Sequence, residues 1–436
     1  MIADQCRFSE QLLLLHELSK SDLNVPYSAT VRSHKDSRDL DAIAVALNTG
    51  KPGDAFAAAF DKRQDLQLVL AKNGPLNPED MAAADELLSL IGNPAIDTAM
   101  DIFPFLLRRC GVNINKRIHK LHTSLQVIRD DFTLELNTYT PIANIEIEFP
   151  NMPLEDYKDV VPPIRIVLDR LVDRILVNTT QGLDPENINA SKRTYGNLFI
   201  DAYILYHSRF LATLVDSRNM NIDRGQRAQR LKRHLYKVCQ YINDITILID
   251  KAKRFAPIPY RWVTDTFTGT GEGVYNFCCD AHNAISRGLD QPSLSPAIVA
   301  KLDEHFPCLQ SNWEKDKTVY ACIHAELRII LHLSQPFPRA SFALRSVQPI
   351  GMSKRSCFCC TVWIETYNHL FSTRWTTRRS HGKPSATWAF PGSACLHAVG
   401  ADGESSVDKP VLDAVSLRLT HTLDWLFPGQ EEASWR

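Results

Sequence analysis

No stretch of the 436-residue chain approaches the roughly 18 consecutive apolar residues that would span a bilayer. The apolar run at 12–15 is too short for the core of a signal peptide, and His16 and Glu17 interrupt it. Net charge is scarce as well. Lys and Arg number 49 against 50 Asp and Glu, so a polyanion-binding signal has to be local if it exists. There is no internal repeat and no low-complexity tract, and little of the sequence alternates with period two. A hydrophobic fraction of 44% with 23% charged residues excludes a fibrous or disordered chain. These absences predict an intracellular globular protein, cytoplasmic or nuclear, without a membrane segment and long enough for two or three domains.

Cysteine is present, but not as a secreted framework. The 11 cysteines are odd in number, and they crowd into tight groups in the second half of the chain. A disulfide scaffold would use an even set in a short chain. Where thiols stay reduced, such groups indicate metal binding or a buried thiol core.

Residues 1–260 read as a mainly α-helical N-terminal region of unknown role. Apolar positions recur three and four apart over 11–20, 39–47, 54–70 and 78–91. Asn77 before Pro78 has the pattern of an N-cap, and Pro162-Pro163 opens a further helix. Longer helices are predicted over 192–215 and 224–253, and 142–149 could be a strand. The prolines and glycines of 255–273 mark a linker or an ordered connecting loop. Gly269-Thr-Gly271-Glu-Gly273 lacks the preceding strand and the spacing of a dinucleotide fingerprint.

Beyond the loop the pattern is mixed. Helices are predicted at 274–287, 295–305, 324–333 and 357–370, with apolar runs at 318–323, 347–352 and 386–390 as strands. A closing helix is expected over 410–426, with Asp408 as its candidate cap. This alternation predicts an α/β layer arrangement for a domain over 264–395, followed by a tail at 396–436.

Two short motifs carry chemistry. His324-Ala-Glu326 follows one apolar run, and Cys357-Phe-Cys-Cys360 follows another, so each opens a helix. Hydrolytic deamination of a ring amidine needs water to be a nucleophile at neutral pH. A Zn2+ ion held by three protein ligands, with the fourth position open, achieves this by lowering the pKa of water to about 7. A carboxylate that does not bind the metal must then move protons to the ring nitrogen and the leaving amine. H-x-E with C-x-x-C is the known zinc-deaminase signature. It makes His324, Cys357 and Cys360 the metal ligands and Glu326 the catalytic acid/base. Helix N-termini favour thiolate over thiol, and Cys357 and Cys360 share one helix face. Cys359 faces elsewhere and reads as a small core residue. Cys278, Cys279 and His282 read as packing rather than a second site.

At these residues the sequence resembles a known group. TVYACIHAELRIILHL at 318–333, PIGMSKRSCFCC at 349–360 and RRSHGKPSATWAFP at 378–391 resemble the blocks of the Orientia-type deaminase-like family. That family is a fungal-rich branch of the zinc-dependent nucleic-acid and nucleotide deaminases. The resemblance implies a cytidine-deaminase-like three-layer α/β/α fold, and the same roles for His324, Glu326, Cys357 and Cys360. Ser356 stands where the wider superfamily has Pro, in the family's Ser-Lys-x-Ser-Cys form.

The surroundings suggest a partner. Between Arg339 and Lys383 lie eight Lys or Arg and one acid, Glu365. Lys354, Arg355, His381 and Trp388 are the candidate substrate-binding residues, offering a phosphate track and stacking faces. A second basic face, Arg224, Arg227, Arg230, Arg233 and Lys237, repeats at helical spacing. The expected activity is deamination of a nucleobase within a nucleic acid. The alternatives are a free nucleoside or nucleotide substrate, and a catalytically inactive zinc-binding module.

Overall fold

The computed structural model describes residues 2–18, 35–63, 65–142, 144–152, 163–216, 222–254, 259–265, 267–288, 291–335, 346–378, 380–395 and 407–426. In chain order the elements begin with α1 (Ile2–Leu18), α2 (Lys35–Leu47), β1 (Phe56–Asp61) and β2 (Gln67–Lys72). A helical series follows: α3 (Pro78–Gly92), α4 (Phe103–Thr138), α5 (Ile145–Glu148), α6 (Ile164–Thr180), α7 (Ile188–His207), α8 (Arg209–Asp216) and α9 (Ile222–Ala252). Then come β3 (Tyr260–Trp262), β4 (Gly273–Asn276), α10 (Ala281–Gly288), α11 (Pro296–His305), α12 (Leu309–Asp316) and β5 (Thr318–Ala321). The series closes with α13 (Ala325–Leu333), β6 (Gln348–Met352), α14 (Phe358–Phe371), β7 (Trp375–Thr377) and α15 (Asp408–Leu426).

The chain forms two compact units. One comprises residues 1–44, 53–77 and 258–436; the other comprises 45–52 and 78–257. The expectation of one helical region over 1–260 therefore needs revision: α1 and the β1–β2 hairpin cluster with the C-terminal third of the chain.

In the first unit a five-stranded mixed sheet runs in the order β3-β2-β1-β6-β7. β1 is antiparallel to β2 and β6, while β3 and β7 add parallel at the two edges. The stretch 54–70, expected to be helical from its alanines, is this β1–β2 hairpin. Ala57, Ala58 and Ala59 are all buried, as in a central strand covered on both faces, where no alternation survives to identify it. Burial between layers overrides the helix propensity of alanine.

Helices cover both faces of this sheet. Ala57, Ala59, Val69, Ala71 and Ile350 join one core with α13 and α14. On the opposite face Gly351 touches α2 so closely that a Cβ there would lie 2.1 Å from the backbone carbon of Leu40. Asp41 of α2 accepts a hydrogen bond from the Met352 N–H at 2.7 Å. α1 packs against α10, α12 and α15, with Phe8 meeting Trp388 and Phe390.

Other expectations shift locally. Residues 273–276 are strand β4, paired with β5, and the helix begins only at Ala281. The 386–390 run makes a single bridge, Trp388 to Cys322, rather than a strand. β7 and α12 were not anticipated.

In the second unit α4 packs along α9 and α6, and α7 packs on α6 and α9. Instead of a strand over 142–149 there is the one-turn helix α5, capped by Asn144, whose side chain accepts from the N–H groups of Glu146 and Ile147. The predicted helix over 192–215 is broken at Ser208 (ψ 145°), whose hydroxyl caps α8. Buried Glu148 accepts from the Phe210 N–H at 3.0 Å and stabilises the same break. Among the described residues no single helix is long and apolar enough to cross a membrane, although α7 and α8, bent by 55°, reach that length and composition as a pair.

Candidate metal and catalytic centre

The chain turns into α13 through His324, an extended N-cap residue (φ −68°, ψ 149°). Three tertiary bonds fix that turn. The Ala325 N–H donates to Asn73 Oδ1 at the end of β2, 2.8 Å away. The Ile323 N–H donates to Glu272 Oε1 at 2.8 Å. Arg328 pairs with the same Glu272 carboxylate and donates to the Ile323 carbonyl. Glu326, in the first turn, points inward and is 2% exposed.

Cys357 is the N-cap of α14, and its sulfur accepts from the Cys360 N–H at 3.4 Å. The preceding Ser356 is fully buried and donates to Thr377 Oγ1 at 3.0 Å. Its carbonyl accepts from the His381 N–H. Segment 380–383 is in turn held by Arg418 of α15, which donates to the Gly382 carbonyl and lies over the Phe358 ring.

These two helix starts meet. His324 Nδ1 lies 3.3 Å from Cys360 Sγ and 3.7 Å from Cys357 Sγ. The three ligand atoms all lie within 4.8 Å of one another, and all three residues are buried. A tetrahedral zinc with Zn–N near 2.05 Å and Zn–S near 2.3 Å would set each N···S separation at about 3.6 Å. The donor set and its spacing therefore fit a zinc ion. The second observation is polar: Glu326 Oε1 and His324 Nε2 are buried without any hydrogen-bond partner. A buried, unpaired carboxyl oxygen is costly in a finished core and useful only if something enters beside it.

The electrostatics agree. Burial pushes the Cys357 thiol up, but hydrogen bonds from Cys359 and Cys360 and the His324 imidazole together hold it well below the usual thiol range. Burial and the Cys357 thiolate keep Cys360 high. Glu326 is raised, chiefly by burial, with His324 opposing. Cys359 is fully buried as expected, and burial followed by the neighbouring Cys357 holds its thiol well above the usual range.

Residues 323–392 match the model of a family described as OTT_1508-like deaminase. This segment is similar to that deaminase family. No curated protein and no solved structure matches the chain. The matched segment contains all four residues of the centre, in agreement with the resemblance seen in the three sequence blocks.

The remaining candidates separate. Lys354 is exposed and Arg355 half-buried on the β6–α14 connection, both close enough to influence the charge of nearby imidazoles. His381 sits on the rim, exposed, within electrostatic reach of Cys357 and His324. Trp388 corrects the sequence reading. It is fully buried between Phe8 and Phe390 and presents no face to a ligand. Trp375 is buried too, and Arg378 pairs with Asp41, so the basic stretch is less free than its composition suggests. Arg339, Arg345 and Arg379 lie outside the described residues. Cys279 bonds Glu10 and Arg287, and His282 meets Asp303, so they do not converge as ligands. Sequence reasoning missed Asn73 and Glu272, which set the angle of His324 from distant positions in the chain, and Arg328, one helix turn on from it.

Proposed function

We propose that this protein is a zinc-dependent hydrolytic deaminase acting on a nucleobase carried in a nucleic acid. The observation that supports it is the meeting of His324, Cys357 and Cys360 beside the buried, unpartnered oxygen of Glu326. His324 through Nδ1, Cys357 and Cys360 through their sulfurs would hold the ion. When bound, zinc makes water a nucleophile at neutral pH.

Among the described residues Glu326 is the one carboxylate at the centre, and it does the proton work. It accepts the proton water gives up as the C–O bond forms at C4 of a cytosine-type or C6 of an adenine-type ring. It delivers that proton to the ring nitrogen, then moves the proton of the new hydroxyl to the amine as the C–N bond breaks, so that water enters and ammonia leaves. Its raised pKa, caused chiefly by burial, suits a group that must both take and return a proton near neutrality. Burial of all four residues excludes bulk water and strengthens each of these interactions. Lys354 and Arg355 on the rim supply positive charge for a phosphate flanking the base, with His381 as a neutral hydrogen-bonding group beside them. Helices on both faces of the sheet support the cytidine-deaminase-like three-layer reading of the fold.

An ammonia-release screen tests this reading over free nucleosides, nucleotides, and single-stranded RNA and DNA. Release from an oligonucleotide that falls steeply with salt is the expected result. Turnover confined to free nucleosides would overturn the polymer substrate, and no turnover on any of them would overturn the enzyme reading.

A further inference from the structure

The helical unit carries a charged feature that deamination does not use. α4 and α9 lie side by side and leave between them a pocket of about 260 Å³, lined by Lys120, Thr123, Ser124, Arg227, Arg230 and His234 among others. Among the described residues no carboxylate lines it. Towards one end the cations are neutralised: Arg224 pairs with Glu135, and Arg227 with Asp131 at 2.7 Å. Lys120 and Arg230 are different. Among the described residues neither has an ion-pair partner. His234 reports the resulting field. Its Nδ1 lies 2.6 Å from Ser124 Oγ, and its pKa falls to about 4 through burial and then through Arg233, Lys120 and Arg230. Three cations thus act on one point without an internal counter-charge.

We propose that this groove binds a phosphate group, carried either by a polynucleotide or by a free nucleotide. An ammonium and a guanidinium facing one space form charge-assisted hydrogen bonds with phosphate oxygens from more than one direction. The pocket exceeds the volume of a bare carboxylate, and exposed Val127 on its wall offers apolar contact to the sugar or base beyond the phosphate. The sequence pattern of Arg224, Arg227, Arg230, Arg233 and Lys237 therefore divides: Arg224 and Arg227 brace α9 on α4, Arg227 and Arg230 line the groove, and Arg233 and Lys237 lie outside its lining.

The test measures binding by the full-length chain to a fluorescein-labelled single-stranded dodecanucleotide, with AMP and inorganic phosphate as competitors. The double variant Lys120→Ala/Arg230→Ala alters two exposed side chains and should fold normally, which a thermal melt checks. The expected result is roughly tenfold weaker binding, with the slope of log K against log salt reduced by about 1.4 for two lost phosphate contacts on a single strand. A free nucleotide as the source would show as AMP binding without oligonucleotide binding, lost in the same variant. The proposal is overturned if neither probe binds, if the double variant binds as the parent does, or if polyglutamate competes as well as AMP. Every arm reads binding, so an absence of ammonia release would leave the result standing.

Discussion

His324 Nδ1 and Cys360 Sγ lie 3.3 Å apart across 36 residues of chain, each at the first turn of a different helix. That approach brings together three side chains that could hold one metal ion.

Glu272 is expected to matter for metal without touching it. Its carboxylate accepts from the Ile323 N–H and pairs with Arg328, and so fixes the turn that carries His324. Glu272→Ala should cost roughly 2–3 kcal/mol of stability through the unpaired groups it leaves. It should also weaken zinc affinity by about tenfold or more, as loss of a supporting contact does. Urea unfolding and a competitive zinc chelator measure the two effects separately.

Gly351→Ala tests the layering. The new methyl would meet the Leu40 backbone at 2.1 Å, so α2 must move away from the sheet. Destabilisation of about 3 kcal/mol is expected, at the upper end of the range for overpacking. A fully stable variant would show that α2 does not lie against β6.

Trp388→Ala separates a core role from a substrate role. Burial between Phe8 and Phe390 predicts a loss of about 3–5 kcal/mol in unfolding free energy. Unchanged stability with a raised KM would restore the substrate role that its place in the sequence suggested.

His234 gives a pH signature. Its folded pKa, about 4, lies below the ordinary value of 6.5. The unfolded chain therefore binds the extra proton between those values, and stability rises with pH across that window. The contribution is complete above pH 6.5 and disappears as pH falls towards 4. Roughly 1–3 kcal/mol should separate parent unfolding at pH 7 and pH 4.5 through this group. His234→Gln should flatten that part of the profile.

Much of the centre was legible because its parts are local. His-x-Glu and Cys-x-x-Cys each occupy a single helix turn, and the apolar runs before them are β5 and β6. Asn73 and Glu272 were not legible. Their roles exist only through contacts 252 and 51 residues distant in sequence. β1 was misread because a strand buried on both faces loses its alternation, and its alanines imitate a helix. The tie of residues 1–44 and 53–77 to the C-terminal third was hidden for a related reason: residues 78–257 separate two parts of one sheet in sequence. Trp388 was misassigned because a tryptophan among basic residues looks the same on paper whether it stacks on a base or on Phe8.

The most direct test is elemental analysis of the purified protein beside its Cys357→Ala and Glu326→Ala variants, with ammonia release read on the same samples. The account predicts one zinc per chain in the parent and in Glu326→Ala, little in Cys357→Ala, and turnover in the parent alone. A parent that carries no zinc, or a Cys357→Ala variant that retains it in full, would contradict it.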